Sequence, residues 1–185
     1  MRVITGKARG VQLKTPEGMQ TRPTTDRVKE ALFSVIQFEI PGAKVLDLFG
    51  GTGQLGIEAL SRGAKSAVFV DAGDAACKLI KENLKRTRLE GNAKVIRSDY
   101  LDYLSRCRES FDIIFLDPPY AEVFLENALK RITEIDILHS NGIIVTERPL
   151  GKELPWEYEG YTRSKDYKYG KTLITIYRKA EKQVL

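Results

Sequence analysis

Apolar and polar residues follow two different periods along most of this chain. From residue 44 onward, short and mostly apolar runs alternate with longer segments in which apolar side chains recur every three or four residues. The runs predict buried strands, and the longer segments predict amphipathic helices. The predicted strands cover 45–49, 67–70, 94–97, 111–116 and 142–146, and the predicted helices cover 55–62, 75–89, 100–107 and 123–135. This alternation predicts an α/β fold with a mostly parallel sheet and helices on both faces.

The two ends of the chain break the alternation. Residues 158–163 and 172–178 have the pattern of two strands with no helix between them, which predicts an antiparallel hairpin at the sheet edge. Residues 2–15 alternate weakly and predict a short β-hairpin or an extended basic arm. A leading helix follows, with Thr24 or Thr25 as its predicted cap.

We expect a single domain over residues 1–185, because a chain of this length suffices for one sizeable core. Its predicted parts are an N-terminal arm or hairpin (1–21), the leading helix (22–41) and the core of the domain (42–185). Five strands from the alternating region and two from the hairpin make a predicted seven-stranded sheet with a reversed edge strand.

Composition narrows the class of protein. Apolar residues make up 42% of the chain and charged residues 30%, both ordinary for a globular protein. No apolar run approaches the ~20 residues of a membrane span, so no membrane partner is expected. Cys77 and Cys107 form no CxxC pair, and His139 is the only histidine. We therefore expect no disulfide framework and no metal site, and a reducing cytoplasmic location.

Positive charge is concentrated at the two ends of the chain. Residues 1–29 hold seven Lys and Arg against two acids, and residues 161–185 hold the same numbers, whereas the middle is net acidic. Basic segments with interleaved aromatic residues, here Tyr167 and Tyr169, suit a phosphate backbone and stacked bases. The alternative is that these lysines and arginines only solvate the surface. The candidate substrate-binding residues are Arg2, Lys7, Arg9, Arg22 and Arg27.

A glycine-rich junction follows the first predicted strand. Gly50, Gly51 and Gly53 separate that strand from a helix, and Gly56 lies in the first turn of that helix. The loop and the helix N-terminus therefore form a cradle for a nucleotide-containing ligand. The spacing matches the dinucleotide fingerprint, but Asp47 inside the strand would repel a pyrophosphate. The same carboxylate would attract the ammonium and sulfonium of S-adenosylmethionine. The pattern Asp-x-x-Gly-Gly-Thr-Gly resembles motif I of class I S-adenosylmethionine-dependent methyltransferases.

Like Asp47 in the first strand, Asp71, Asp99 and Asp117 stand at the carboxyl ends of predicted strands, where ligands bind in open α/β sheets. Asp71 would accept from the ribose hydroxyls, Asp99 from the adenine amine, and Asp47 would face the methionine end of the cofactor. Each acid could instead cap the helix that follows it. Together with Gly50, Gly51 and Gly53, these three acids form the predicted cofactor site.

The fourth acid begins the sequence Asp117-Pro118-Pro119-Tyr120. Asp117 and the Pro118 carbonyl offer two adjacent acceptors for an –NH₂ group, and Tyr120 offers a flat face for a planar base. This resembles motif IV of methyltransferases that act on planar nitrogens: adenine N6, cytosine N4, guanine N2 or the glutamine amide. Two such bonds would localise the lone pair of the amine, so catalysis would come mostly from positioning and electrostatics. A target base would have to leave its stack.

Taken together, these motifs resemble the RsmD-type 16S ribosomal RNA guanine-N2 methyltransferases over nearly the whole chain. The resemblance includes the segments 2–10, 22–33 and 46–64, Asp117-Pro118-Pro119-Tyr120, and Tyr169-Gly170-Lys171-Thr172. It implies the class I methyltransferase (Rossmann-like) fold, S-adenosylmethionine as cofactor, and guanine N2 in 16S ribosomal RNA or the assembled small subunit as target.

Other functions remain open on the residues alone. One is a methyltransferase acting on DNA or RNA adenine or on protein glutamine. Another is an NAD-dependent oxidoreductase or a nucleotide-binding module without catalysis.

Overall fold

A computed structural model describes residues 1–16, 23–118, 122–151, 153–155, 157–158 and 160–180, with side chains omitted at 23–25 and 122. Five helices are described: α1 (Pro23–Val35), α2 (Gln54–Ser61), α3 (Asp74–Thr87), α4 (Tyr100–Arg106) and α5 (Glu122–Ile135). The described strands are β1 (Lys44–Asp47), β2 (Ser66–Asp71), β3 (Ala93–Arg97), β4 (Phe111–Leu116), β5 (Leu138–Pro149), β6 (Glu157–Tyr158), β7 (Tyr161–Tyr169) and β8 (Thr172–Lys179). A 3₁₀ turn (Glu90–Asn92) leads into β3.

All of these strands belong to one sheet, in the order β3-β2-β1-β4-β5-β8-β7-β6. The first five are parallel to one another, and β8 is antiparallel to β5. The predicted hairpin is confirmed as β7 and β8, which turn at Gly170 with a φ of 59°. This is the predicted fold class, a parallel α/β sheet with an antiparallel end.

Two details of the prediction are wrong. The sheet has eight described strands rather than seven, because a turn at Gly160 with φ of 86° splits the predicted strand 158–163 into β6 and the start of β7. The reversed strand β8 therefore lies inside the antiparallel end, with β7 and β6 beyond it. Thr24 and Thr25 are not caps, since α1 already begins at Pro23. Proline suits a first helical position because its missing N–H has no partner to lose there.

Side chains that alternate along the strands divide the core into two clusters, one on each face of the sheet. The first face packs against α1, α2 and α3, with Phe33, Phe69 and Phe115 among its fully buried residues. The second face packs against α4 and α5, around residues such as Phe111 and Tyr177. No described helix is long and apolar enough to span a membrane.

The N-terminal segment is a small hairpin that packs on the first face. Arg2 and Gln12 form an antiparallel bridge, and Val3 N–H donates to the Val11 carbonyl at 3.0 Å. Glu58 of α2, which is fully buried, accepts from the backbone N–H groups of Ile4 at 2.8 Å and Thr5 at 3.0 Å. The hairpin alternative is thus confirmed, and the segment is anchored to the domain rather than extended from it.

Candidate functional site

Strand register brings the acids of three strand ends to one face of the sheet. Residues 45, 69, 113 and 115 belong to the first-face cluster. Because side chains alternate along a strand, Asp47, Asp71 and Asp117 lie on this same face, next to the glycine loop. Asp47 pairs in register with Phe69 and Phe115, so the three acids lie at neighbouring positions along the edge.

A cleft of about 710 Å³ opens at this edge, a volume typical of small-molecule sites. Six of the predicted site residues line it: Asp47, Gly50, Gly51, Asp71, Asp117 and Pro118. Two others, Gly53 and Asp99, are not among its described lining residues. Tyr120 and Arg22 lie outside the described residues, so their predicted roles stay predictions.

Asp71 ties the glycine loop to the end of β2. Its Oδ2 accepts from Gly51 N–H at 2.9 Å, and its Oδ1 accepts from Gly73 N–H at 2.8 Å. Residue 51 has a φ of 55°, in the left-handed region where glycine is favoured because it has no side chain. Each carboxylate oxygen can accept more than one bond, so Asp71 keeps lone pairs for a pair of ligand hydroxyls.

Asp47 lies at the floor of the cleft and is almost fully buried. Its Oδ2 accepts from Gly56 N–H of α2 at 3.1 Å. Burial, and to a lesser degree the charges of Asp117 and Asp71, raise the pKa of Asp47 to about 7. A cationic ligand group would relieve this cost of burying the charge, whereas an anionic one would add to it.

One buried polar atom of a cleft residue has no hydrogen-bond partner within the described part of the protein. Gln54 Oε1 is buried, belongs to a residue that lines the cleft, and accepts no hydrogen bond there. A buried acceptor without a donor is unfavourable, and a ligand N–H would satisfy it.

Asp117 and Pro118 lie directly after β4, and both are partly exposed to the cleft. Burial raises the pKa of Asp117 to about 6. Asp99 instead caps α4, because its Oδ1 accepts from the N–H groups of Leu101 at 2.8 Å and Asp102 at 3.4 Å. The capping alternative is thus correct for Asp99, and its contact with adenine stays a prediction for Oδ2.

Three of the candidate RNA-binding residues lie together. Arg2, Arg9 and Arg27 line a groove of about 420 Å³ between the N-terminal hairpin and α1, which also contains Asp26 and Glu30. The contact between Arg2 and Asp26 is long, at 3.8 Å, and the Arg2 side chain is 60% exposed. Lys7 is exposed on the hairpin but is not among the described residues of the groove.

Two basic residues counted in the charge of the chain ends are internal. Lys29 is 3% exposed, pairs with Glu58 at 3.7 Å, and has its pKa lowered by burial. Arg163 is 8% exposed and pairs with Asp166 at 3.6 Å. Part of the positive charge therefore supports the fold and is not available to a phosphate backbone.

The N-terminal segment has a part in the cleft that no sequence pattern indicated. Met1, Thr15 and Pro16 form part of the lining. Asn83 of α3, fully buried, holds this wall in place: it accepts from Lys14 N–H at 2.7 Å and donates to the Thr52 carbonyl at 2.9 Å. The segment therefore closes one side of the site.

Glu147 lies on the strand next to Asp117, although it is not among the described lining residues of the cleft, and the sequence pattern that could have singled it out was not used. Glu147 follows the predicted strand 142–146 as directly as Asp117 follows 111–116. In the structure β5 continues through this position, and Glu147 is partly buried there. Burial, followed by the charge of Asp117, raises the pKa of Glu147 to about 8.

The cleft as a whole fits a ligand with positive charge and hydroxyl groups better than one with phosphates. Its lining includes three aspartates and a buried unpartnered acceptor. The one lysine in the described lining, Lys78, is exposed and already pairs with Asp74 at 2.8 Å. These features match the amino, sulfonium and ribose groups of S-adenosylmethionine and disfavour a dinucleotide pyrophosphate.

Comparison with known proteins identifies relatives over nearly the whole chain. The family model described as Conserved hypothetical protein 95 matches residues 1–178. The chain is 42% identical to the putative rRNA methyltransferase YlbH of Bacillus subtilis (strain 168), covering 97% of this chain and 99% of the relative. It is 32% identical to ribosomal RNA small subunit methyltransferase D of Escherichia coli (strain K12), covering 97% and 90%.

Solved structures agree with these relatives. The Escherichia coli protein yhhF superposes with a TM-score of 0.87 at 32% identity, covering 97% of this chain and 98% of that one. SMU.776, solved in complex with SAH, shares the fold with a TM-score of 0.66 at 18% identity, covering 85% of this chain and 50% of that one.

Proposed function

The chain belongs to the Conserved hypothetical protein 95 family and is a relative of ribosomal RNA small subunit methyltransferase D, and on this premise we propose that it methylates the exocyclic N2 of a guanine in small-subunit (16S) ribosomal RNA. The observation that supports the chemistry most directly is the convergence of Asp47, Asp71 and Asp117 with Pro118 on one cleft. S-adenosylmethionine is the proposed cofactor, and it supplies an electrophilic methyl group when bound.

The glycine loop and the first two strand ends would hold this cofactor. Asp71 would accept from the ribose hydroxyls while it keeps its bonds to Gly51 and Gly73. Asp47 would face the positive charge, and Gln54 Oε1 would accept from the amino group. Asp99 Oδ2 and Gly53 complete the proposed set less directly, because neither residue is among those described in the lining.

Asp117 and the Pro118 carbonyl would hold the target amine. Both accept hydrogen bonds, so they would bind the two hydrogens of –NH₂ and leave its lone pair directed away from them. Positioning of this kind contributes more to such a reaction than strong acid or base catalysis. As the nitrogen takes the methyl group, the bond between that methyl carbon and the sulfonium sulfur would break, and the nitrogen must then lose a proton, which the partly buried Asp117 carboxylate would accept.

The exposed arginines would hold the RNA while Tyr120 stacks on the flipped base. Arg2, Arg9 and Arg27 share one groove, and Lys7 and Arg22 are proposed to extend the contact. Phosphates bound along this groove would position the RNA without reading its sequence.

The test is methyl transfer from labelled S-adenosylmethionine to small ribosomal subunits and to free 16S RNA from a strain that lacks this gene. Digestion to nucleosides should give labelled N2-methylguanosine. The Asp117→Ala variant serves as the control for background transfer. Label in N6-methyladenosine or in protein, or no label in either substrate, would contradict the proposal.

A further inference from the structure

Glu147 occupies the next strand position beside Asp117. Strands β4 and β5 are parallel and pair Phe115 with Val145 and Leu116 with Thr146, so the next step of the register places residue 147 opposite residue 117. Ile143 and Val145 belong to the first-face cluster. By the alternation of side chains, Glu147 therefore points to the face that holds Asp47, Asp71 and Asp117.

Nothing within the described part of the chain explains a carboxylate at this position. The Glu147 side chain makes no hydrogen bond or ion pair there, although the residue is partly buried. Its other neighbour across the sheet is Ile174 of β8, and Ile174 in turn pairs with Tyr167 of β7. An acid between a second acid and an apolar side chain destabilises the fold, so a ligand is the simplest reason for its presence.

The nucleobases differ in the donors and acceptors that they would present to Asp117 and Glu147. In guanine, the ring nitrogens on the two sides of the N2 amine are N1–H, a donor, and N3, an acceptor. In adenine and cytosine, the ring nitrogen next to the amine is an acceptor, which an ionised carboxylate would repel. The N1–H donor of guanine would favour the ionised form of Glu147. Because ionised carboxylates only accept hydrogen bonds, Asp117 and Glu147 together would then complement the amine and N1–H edge of guanine.

We propose that Glu147 is a specificity-determining residue, which accepts the N1–H of the target guanine while Asp117 and the Pro118 carbonyl accept from its N2 amine. This inference rests on the proposed function and adds to it the reason why guanine is chosen. It also gives the base an orientation, with N1 toward β5 and the amine toward β4.

The experiment reverses the roles of donor and acceptor on the two sides of the contact. Glu147→Gln keeps the shape of the side chain but adds an N–H donor, and 2-aminopurine keeps the N2 amine of guanine but has an acceptor at N1. Guanine and 2-aminopurine are each placed at the methylated position of the shortest RNA that the wild-type enzyme methylates. We expect the wild type to prefer guanine strongly, and Glu147→Gln to reduce this preference about 10-fold to 100-fold.

A binding measurement supplies a readout that does not depend on turnover. The fluorescence of 2-aminopurine rises when the base leaves its stack, so titration with each enzyme gives its affinity. We expect Glu147→Gln to bind the 2-aminopurine substrate more tightly than the wild type. Glu147→Ala should lose activity on guanine with no gain on 2-aminopurine, and the exposed Glu90→Gln should match the wild type in both assays.

The outcomes separate the two proposals. An unchanged preference in Glu147→Gln, or an equal loss on both bases, would overturn the role of Glu147 and make it a structural residue. Failure of the wild type to methylate guanine in any RNA would instead overturn the proposed function. Calorimetry with S-adenosylmethionine and a thermal melt establish that each variant is folded and binds the cofactor.

Discussion

At the scale of single residues, Asp117 is the side chain on which the proposed chemistry depends most. Asp117→Ala removes one of two acceptors for the amine, so methyl transfer should fall by roughly 10²–10³-fold, as when one preorganised hydrogen bond is removed from a transition state. Asp117→Asn should retain more activity, because its carbonyl still accepts. Single-turnover rates with saturating cofactor measure the effect.

Cofactor affinity provides the control for Asp117. The contacts proposed for the cofactor come from β1, β2 and the glycine loop, so calorimetry should give nearly the wild-type Kd for both variants. A wild-type rate of transfer in Asp117→Ala would refute the proposed arrangement of the amine. Tyr120→Ala should also be severe and Tyr120→Phe mild if stacking, rather than the hydroxyl, is what matters.

Asp71 should govern cofactor affinity instead. Asp71→Ala removes the proposed acceptor of the ribose hydroxyls and frees the Gly51 and Gly73 N–H groups that it now holds. We expect S-adenosylmethionine binding to weaken by about 1.5–3 kcal/mol for each charged hydrogen bond removed, as measured by calorimetry. Asp74→Ala, an exposed acid three residues further on, is the matched control. Equal affinities for the two variants would exclude the ribose role.

At the scale of elements, the parallel strands concentrate acids at one edge at a cost in stability. The folded-state pKa values of Asp47, Asp117 and Glu147 rise to about 7, 6 and 8 from ordinary values of 3.8, 3.8 and 4.5. Between these limits the folded state binds more protons than the unfolded state does. Stability contributed by these groups is therefore fully present only below about pH 4, and it falls as the pH rises from there towards 8.

Replacing one of these acids by its neutral amide should remove its share of the stability that is lost as the pH rises. At pH 5 Glu147→Gln should differ little from the wild type, whereas at pH 8 it should be more stable by about 1–3 kcal/mol. Denaturant melts at the two pH values measure the difference, with Glu90→Gln as the exposed control. A gain of the same size at both pH values, or a loss at pH 8, would contradict the assigned pKa shifts.

Elements were predictable where one periodicity dominates a segment. The strand Phe111–Leu116 was predicted to the residue, because its last four residues are apolar in succession, as expected where a strand is covered on both faces. The split of 158–163 was not, because one glycine with positive φ decides it. Packing of the N-terminal hairpin could not be predicted, since no local pattern shows which N–H groups the buried carboxylate of Glu58 accepts from.

The position of the acids in the candidate site could be predicted from the sequence, but their contacts could not. The rule that acids at strand ends meet at one edge found Asp47, Asp71 and Asp117, and it would have found Glu147 had it been applied to one more strand. The rule could not show that Asp99 turns to cap α4, because a cap and a ligand contact use the same residue types.

At the scale of the whole molecule, charge and fold together determine where RNA can bind. The N-terminal hairpin lies on the first face with the cleft, and Met1, Thr15 and Pro16 form one wall of the site. An RNA held along the groove of Arg2, Arg9 and Arg27 would thus run beside the segment that closes the cofactor cleft. The basic hairpin β7–β8 continues the same sheet beyond Glu147, so we infer that the RNA is held from both sides of the target base.

Neutralising the N-terminal charges tests this placement. Replacing Arg2, Lys7 and Arg9 by Gln should weaken RNA binding and flatten its salt dependence, by about one unit of slope for each phosphate that the protein no longer neutralises. Stability should change little, because these side chains are exposed and the Arg2–Asp26 ion pair is long. A triple Gln variant at Arg106, Lys130 and Arg131 on the opposite face removes the same charge and is the control. If both triple variants reduce affinity and slope equally, net charge alone accounts for RNA binding, and the hairpin groove has no specific part in it.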